Sequence, residues 1–309
     1  MDRRSPLAAG AAAVLAAAVA VAATSCTEQA TTAASTPPSS SMPPSSAVPT
    51  ITPAALPATT PTTLPPATTS TTSTTSTTTT TTSTTTTTTT TTVPPVVETR
   101  ELGRSVQGRP ITAVRRGTPG GTVVLVIGVI HGNEAAGHEI TDTLEQLTVP
   151  GDVDIWIVAS MNPDGEAANV RHNANGVDLN RNFPYDWGPI GVAGDSQYAG
   201  PSAASEPETQ AIVAFMTEIQ PDLTIWYHQD LYRISPGRGA EAAVRARYAE
   251  LTGLPVIEIT GGIYTGVAAT WARRTLPGFA FIVELGETLA PGEAELHADA
   301  VLTVASELE

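Results

Sequence analysis

The sequence predicts an α/β fold: three layers, α/β/α, with helices on both faces of a mixed, mainly parallel sheet. Two observations carry that expectation. Short, nearly unbroken apolar runs recur along the second half of the chain, and longer stretches of helical character alternate with them. The run 122–130 (Thr-Val-Val-Leu-Val-Ile-Gly-Val-Ile) is the longest, and its unbroken hydrophobicity suits a strand buried on both faces. The runs 154–160, 223–227 and 279–283 repeat the pattern with β-branched and aromatic residues. Helices are expected over 135–147, 206–219, 240–251, 267–274 and 292–308. The second of these opens among the start signals Ser202, Ser205 and Pro207. In such a sheet, ligand-binding and catalytic groups gather beyond the carboxyl ends of the strands.

Composition divides the 309 residues into three segments. Residues 27–97 are almost entirely Thr, Ser, Pro and Ala, and 68–92 contain only Thr and Ser. A stretch with so little apolar surface does not offset its own ordering entropy, so it reads as a disordered linker. Residues 98–309 form one globular domain, long enough to bury a substantial core. Ahead of the linker, residues 1–26 read as an export signal, with Asp2-Arg3-Arg4 before an apolar run from Leu7 to Ala23. The run ends at Ala23-Thr24-Ser25-Cys26, which resembles a bacterial lipoprotein signal in which Cys26 carries the lipid. Cleavage after Ala20-Val21-Ala22, which would release a secreted protein, and an uncleaved anchor are the other readings. The membrane is therefore expected to be met only through this N-terminal lipid or signal anchor, at the outer face of the cytoplasmic membrane or the cell wall.

Charge and cysteine count exclude several functions. The formal net charge is -15, so no basic footprint for nucleic acid exists. Every one of the 15 basic side chains is Arg, which removes Lys-based phosphate loops and Schiff bases. Cys26 is the single cysteine, so a metal in the folded domain has to use His and carboxylates.

The candidate chemistry sits where strands end. The run 122–130 leads into His131-Gly132-Asn133-Glu134, two potential ligands three apart at the mouth of the expected helix. Zinc accepts imidazole nitrogen and carboxylate oxygen, and a hydrolytic site keeps three protein ligands and one open position. Of the 5 histidines, His228 ends the run 223–227; His138, His172 and His297 read as surface or supporting residues. Between these lies the segment 171–184, dense in Asn, Asp and Arg. It reads either as a hydrogen-bonded surface turn or as a site in which Arg171 and Arg181 offer charged forks to a carboxylate and a polarised carbonyl. Glu284 ends the last run, either as a helix-start charge or as a catalytic base.

Taken together, these residues resemble the zinc metallocarboxypeptidases of the carboxypeptidase A type, and among them the bacterial murein peptide amidase group. The resemblance runs from the segment 103–111 to Glu284 and is most specific at His131-x-x-Glu134, the run 176–184 and the final Glu. It implies one zinc ion on His131, Glu134 and His228, a two-His, one-Glu set known for carboxypeptidase A. It further implies that Asp178 orients a zinc histidine, that Arg171 stabilises an oxyanion, and that Asn180 and Arg181 clasp a terminal carboxylate. Glu284 would be the general base, and Tyr264, two residues closer to Trp271 than in the family, would match its mobile tyrosine. Ala269, two before Trp271, selects neither a basic nor an acidic side chain. The implied function is zinc-dependent hydrolysis of a terminal amide bond beside a free carboxylate in a cell-wall peptide, such as the D-glutamyl–diaminopimelate bond. A carboxypeptidase for ordinary peptides, an N-acyl amino-acid deacylase and a non-catalytic wall-binding module are the alternatives.

Overall fold

The computed structural model describes residues 96–308, all within the second of two compact units, Thr82–Glu309. The expected signal segment, Cys26 and all but the last two linker residues lie outside the described residues. The chain enters as an antiparallel pair, β1 (Glu98–Arg104) and β2 (Pro110–Gly117). There follow β3 (Thr122–Val129), α1 (Gly137–Leu144), β4 (Val153–Ser160), α2 (Pro163–Ala168) and α3 (Pro207–Ile219). The second half contributes β5 (Leu223–Gln229), β6 (Arg233–Ile234), α4 (Ala240–Thr252), α5 (Ala268–Thr275), β7 (Phe279–Leu285) and α6 (Glu293–Ser306).

The seven strands form one sheet in the order β1-β2-β4-β3-β5-β7-β6. Its centre, β4-β3-β5-β7, is parallel throughout, and β1, β2 and β6 border it antiparallel. The central strands are apolar on both sides because both sides are covered. Val124 and Val126 of β3 pack into one core with α1, α4 and α6, whereas Leu125 and Ile127 pack into the other with α3 and α5. Alternation of side chains across the strand produces this division. Each such side chain removed from water stabilises the fold by roughly 1.5–3 kcal/mol.

The chain leaves β3 toward β4 on one side, and β5 lies against β3 on the other. The gap between the ends of β3 and β5 is therefore the topological switch point, where open α/β sheets hold their ligands. Three expectations change. The helix expected over 135–147 is shorter, α1 starting only at Gly137, and His131-Gly132-Asn133-Glu134 forms a turn ahead of it, with the Glu134 N–H donating to the His131 carbonyl at 3.0 Å. Gly132 explains why: a Cβ there would lie 2.0 Å from the Gly165 carbonyl carbon, so the turn is pressed against α2. His297 is fully buried in α6 rather than on a polar surface, because that helix packs against α1 and α4. The segment 171–184 is a hydrogen-bonded loop, but a buried one.

Candidate metal centre and cleft

Burial of that loop is built by its asparagines. Asn173 accepts from the N–H groups of Asn175 and Val177, both at 3.1 Å, and donates to Glu206 at 2.7 Å and Glu208 at 3.0 Å. Asn182 donates to the Ala199 carbonyl at 2.9 Å and Ser205 Oγ at 3.0 Å. Asn162, the N-cap of α2, donates to the Ile130 and Arg171 carbonyls and so ties the end of β3 to the loop. Buried amides with their bonds satisfied hold backbone as firmly as a ladder does. The bracing roles of Asn162, Asn173, Glu206 and Glu208 are not legible in the sequence, because a structural Asn or Glu carries no spacing signal.

The frame delivers the ligands to one point. His131 Nδ1 lies 2.8 Å from Glu134 Oε1, and His228 Nδ1 lies 2.9 Å from Glu134 Oε2. One ligand atom from each of the three residues falls within 4.8 Å of the others, and all three are buried. On the far side of its ring, His131 Nε2 meets Asp178 Oδ1 at 2.9 Å. Although burial opposes it, bonding from both histidines holds the Glu134 carboxyl well below the usual carboxylate range. Asp178 is held down likewise against burial, by the charge and hydrogen bond of His131 and then by Arg171. Two imidazole nitrogens and a carboxylate converge on a centre where positive charge belongs, and the donor set suits zinc. Asp178 stands behind the ring, in the position from which a carboxylate would orient a histidine ligand.

The other expected residues surround this centre. Arg171 donates to Glu134 at 3.0 Å and to Asp178 at 3.0 Å. Asn180 Oδ1 accepts from the Ala268 N–H at 3.0 Å, and its Nδ2 stands 3.3 Å from His228 Nε2. Arg181 is buried, donates from Nη1 to the Asn180 carbonyl at 2.8 Å, and leaves Nε without a partner among the described residues. The exposed Tyr264 ring covers that guanidinium at 5.2 Å. Glu284 on β7 is the register partner of His228 on β5 and of Arg233 on β6. Burial first, and then the charge of Glu134, push its carboxyl up to about 7. A cation at the neighbouring centre would favour its charged form. His131, Glu134, Arg171, Asn180, Arg181, His228, Tyr264 and Glu284 all line one cleft of about 670 Å³. Of the remaining histidines, His138 meets Glu166 at 2.8 Å and His172 meets the Asp195 carbonyl at 3.0 Å.

A three-layer α/β domain with a two-His, one-Glu centre at its switch point defines a zinc hydrolase. The profile of the zinc carboxypeptidase family matches residues 83–232 of this chain. Murein peptide amidase A of Escherichia coli (strain K12) is 29% identical over 184 residues, spanning 56% of this chain and 75% of that protein. The enzyme of the same name from Vibrio campbellii is 26% identical over 222 residues, 68% of this chain and 88% of its own length. Among solved structures, the murein-tripeptide amidase from Escherichia coli O157 superposes with a TM-score of 0.56 at 26% identity, covering 69% of this chain and 93% of that one. Carboxypeptidase A from Helicoverpa armigera, at 22% identity and a TM-score of 0.59, shares the fold.

Proposed function

We propose that this chain hydrolyses the amide bond next to a free carboxylate in cell-wall (murein) peptides, with zinc held by His131, Glu134 and His228. The observation that carries this reading is the meeting, in one cleft, of that triad, Glu284 and a buried arginine fork with an unpartnered Nε. Bound zinc supplies Lewis-acid polarisation of the scissile carbonyl and a lowered pKa for the attacking water. Glu284 takes the proton of that water and passes it to the leaving amine. Arg171, anchored on Asp178, offers its guanidinium to the oxygen on which charge develops. Asn180 and Arg181 hold the substrate's terminal carboxylate, and Tyr264 closes over them. The murein assignment draws on the amidases that the chain resembles along most of their length.

The N-terminal residues support an exported enzyme, lipid-anchored through Cys26 and tethered by the Thr-rich linker. Zinc-loaded full-length chain incubated with muropeptides and with plain peptides, followed by mass spectrometry, tests the function. Release of a terminal residue from muropeptides is expected. Cleavage confined to plain peptides would replace the murein reading with a general carboxypeptidase, and cleavage of neither would end both.

A further inference from the structure

The sheet opens where the metal centre lies. The β3–β5 ladder ends at Ile127 and Trp226, two residues before His228, whereas the β5–β7 ladder runs on to Gln229 and Leu285. Past Ile127, no β3–β5 ladder bond holds the turn that carries His131 and Glu134 against the strands that carry His228 and Glu284. One side chain spans this opening from the end of the middle strand, that of Gln229.

Gln229 reaches both neighbours at once. Its Oε1 accepts from the Ala136 N–H at 2.8 Å. Ala136 is the N-cap of α1, and its own side chain makes no capping bond. An amide from β5 thus takes the role that a Glu or Gln of the helix's own first turn plays in a capping box. On the other side, Gln229 Nε2 donates to the Gly286 carbonyl at 3.1 Å and the Glu287 carbonyl at 2.7 Å, just past the end of β7 and close after Glu284. The Gln229 backbone N–H adds a bond to Glu134 Oε2 at 3.2 Å, the oxygen that His228 Nδ1 also meets. An acceptor facing one element and both amide hydrogens facing another define the orientation of the side chain. Only a carboxamide offers that set, and Asn is one methylene shorter.

We propose that Gln229 is a positioning residue, whose amide sets the spacing between the ligand-bearing turn and Glu284. The ligands themselves have other supports: Asp178 behind His131, Arg171 on Glu134 and Asn180 beside His228. Loss of the amide therefore spares the metal centre and alters the placement of the base, on which the chemical step depends. The substrate carboxylate is held elsewhere, by Asn180 and Arg181, so binding is spared too. The inference rests on the hydrolase reading above and names the residue that aligns its base.

The test uses zinc-loaded full-length chain and a muropeptide substrate. Gln229→Met keeps the length of the side chain and loses its three bonds. Its kcat is expected to fall about 10- to 100-fold, with KM and zinc affinity, read by competition with a chelator, within about threefold of wild type. Hydrogen exchange read by mass spectrometry should quicken about tenfold over 136–138 and 286–288 and stay unchanged over 171–184. Gln229→Glu keeps the acceptor toward Ala136 but sets an acceptor against two carbonyls, so its exchange should quicken over 286–288 alone, with kcat again reduced. Exchange that quickens at both ends while kcat holds, or kcat, KM and zinc affinity that worsen together, would overturn the proposal. A wild-type chain that cleaves no peptide would sink the hydrolase reading; the two-ended exchange response would then leave the strap standing, and its absence would remove that as well.

Discussion

Tyr227 and His228 are neighbours on β5, and their side chains enter opposite faces of the sheet. On one face, His228 and His131 meet carboxylates. On the other, Tyr227 Oη meets Tyr248 Oη at 2.9 Å, and Tyr248 Oη meets His297 Nδ1 at 2.7 Å. All three histidines are buried, yet their chemistry diverges. Burial lowers the proton affinity of each, but at His131 the charges and hydrogen bonds of Asp178 and Glu134 outweigh it and raise the pKa. At His297 burial prevails and the pKa falls to about 4, because the nearest carboxylate, Glu293, stands 3.8 Å away. At His228 burial also prevails although Glu134 opposes it, so a buried imidazole has a raised pKa only where its counter-charges outweigh burial. The tyrosine side is a neutral network that leaves His297 Nε2 without a hydrogen-bond partner among the described residues; the carboxylate side is complete only with a cation.

Four experiments probe that contrast. The largest effect is expected from Glu284→Gln, which removes the base and keeps the ligands. The kcat should fall about 10²- to 10⁴-fold while zinc content, read by elemental analysis, stays at wild type; full activity with zinc bound would refute the role of Glu284. Next comes the pH dependence of stability. His297 binds its proton in the unfolded chain near pH 6.5 and in the folded chain only near pH 4. Its contribution is thus fully present above about pH 6.5 and is lost as pH falls toward 4, amounting to about 3 kcal/mol. Denaturant melts across this window should flatten in His297→Phe, and an unchanged slope would mean that this side does not titrate as its burial requires.

Smaller effects come from the residues that support each histidine. Asp178→Asn should weaken zinc binding about 10- to 100-fold, measured by competition with a chelator, with little change in the melts near neutral pH. Tyr248→Phe should do the reverse, costing about 1–3 kcal/mol of stability and leaving zinc affinity unaltered. If either variant moved both quantities alike, the two faces would be coupled rather than independent.

The parallel core was legible because a strand covered on both faces has to be apolar at every position, as 122–130 is. The edge strands were not. β1 (Glu-Thr-Arg-Glu-Leu-Gly-Arg) is half solvated, so its charges mask the pattern, and β6 has only two residues. Within the site, His131 and Glu134 were visible as a spaced pair at a strand end. Glu284 was visible as a charge closing an apolar run, although it lies inside β7 rather than beyond it. Arg233, Arg245 and Arg273 carried no signal, because each comes from a different element and only packing brings them to one cleft.

By itself the sequence determined which donors exist. With no lysine, and with its only cysteine outside the folded domain, five histidines and a few strand-end carboxylates bound what a metal centre there can be. Tertiary structure decided which of those histidines face a carboxylate and which face a tyrosine. The reason is geometric and electrostatic: β5 turns adjacent side chains to opposite faces, and in a low-dielectric interior the nearest charge sets what a buried imidazole binds.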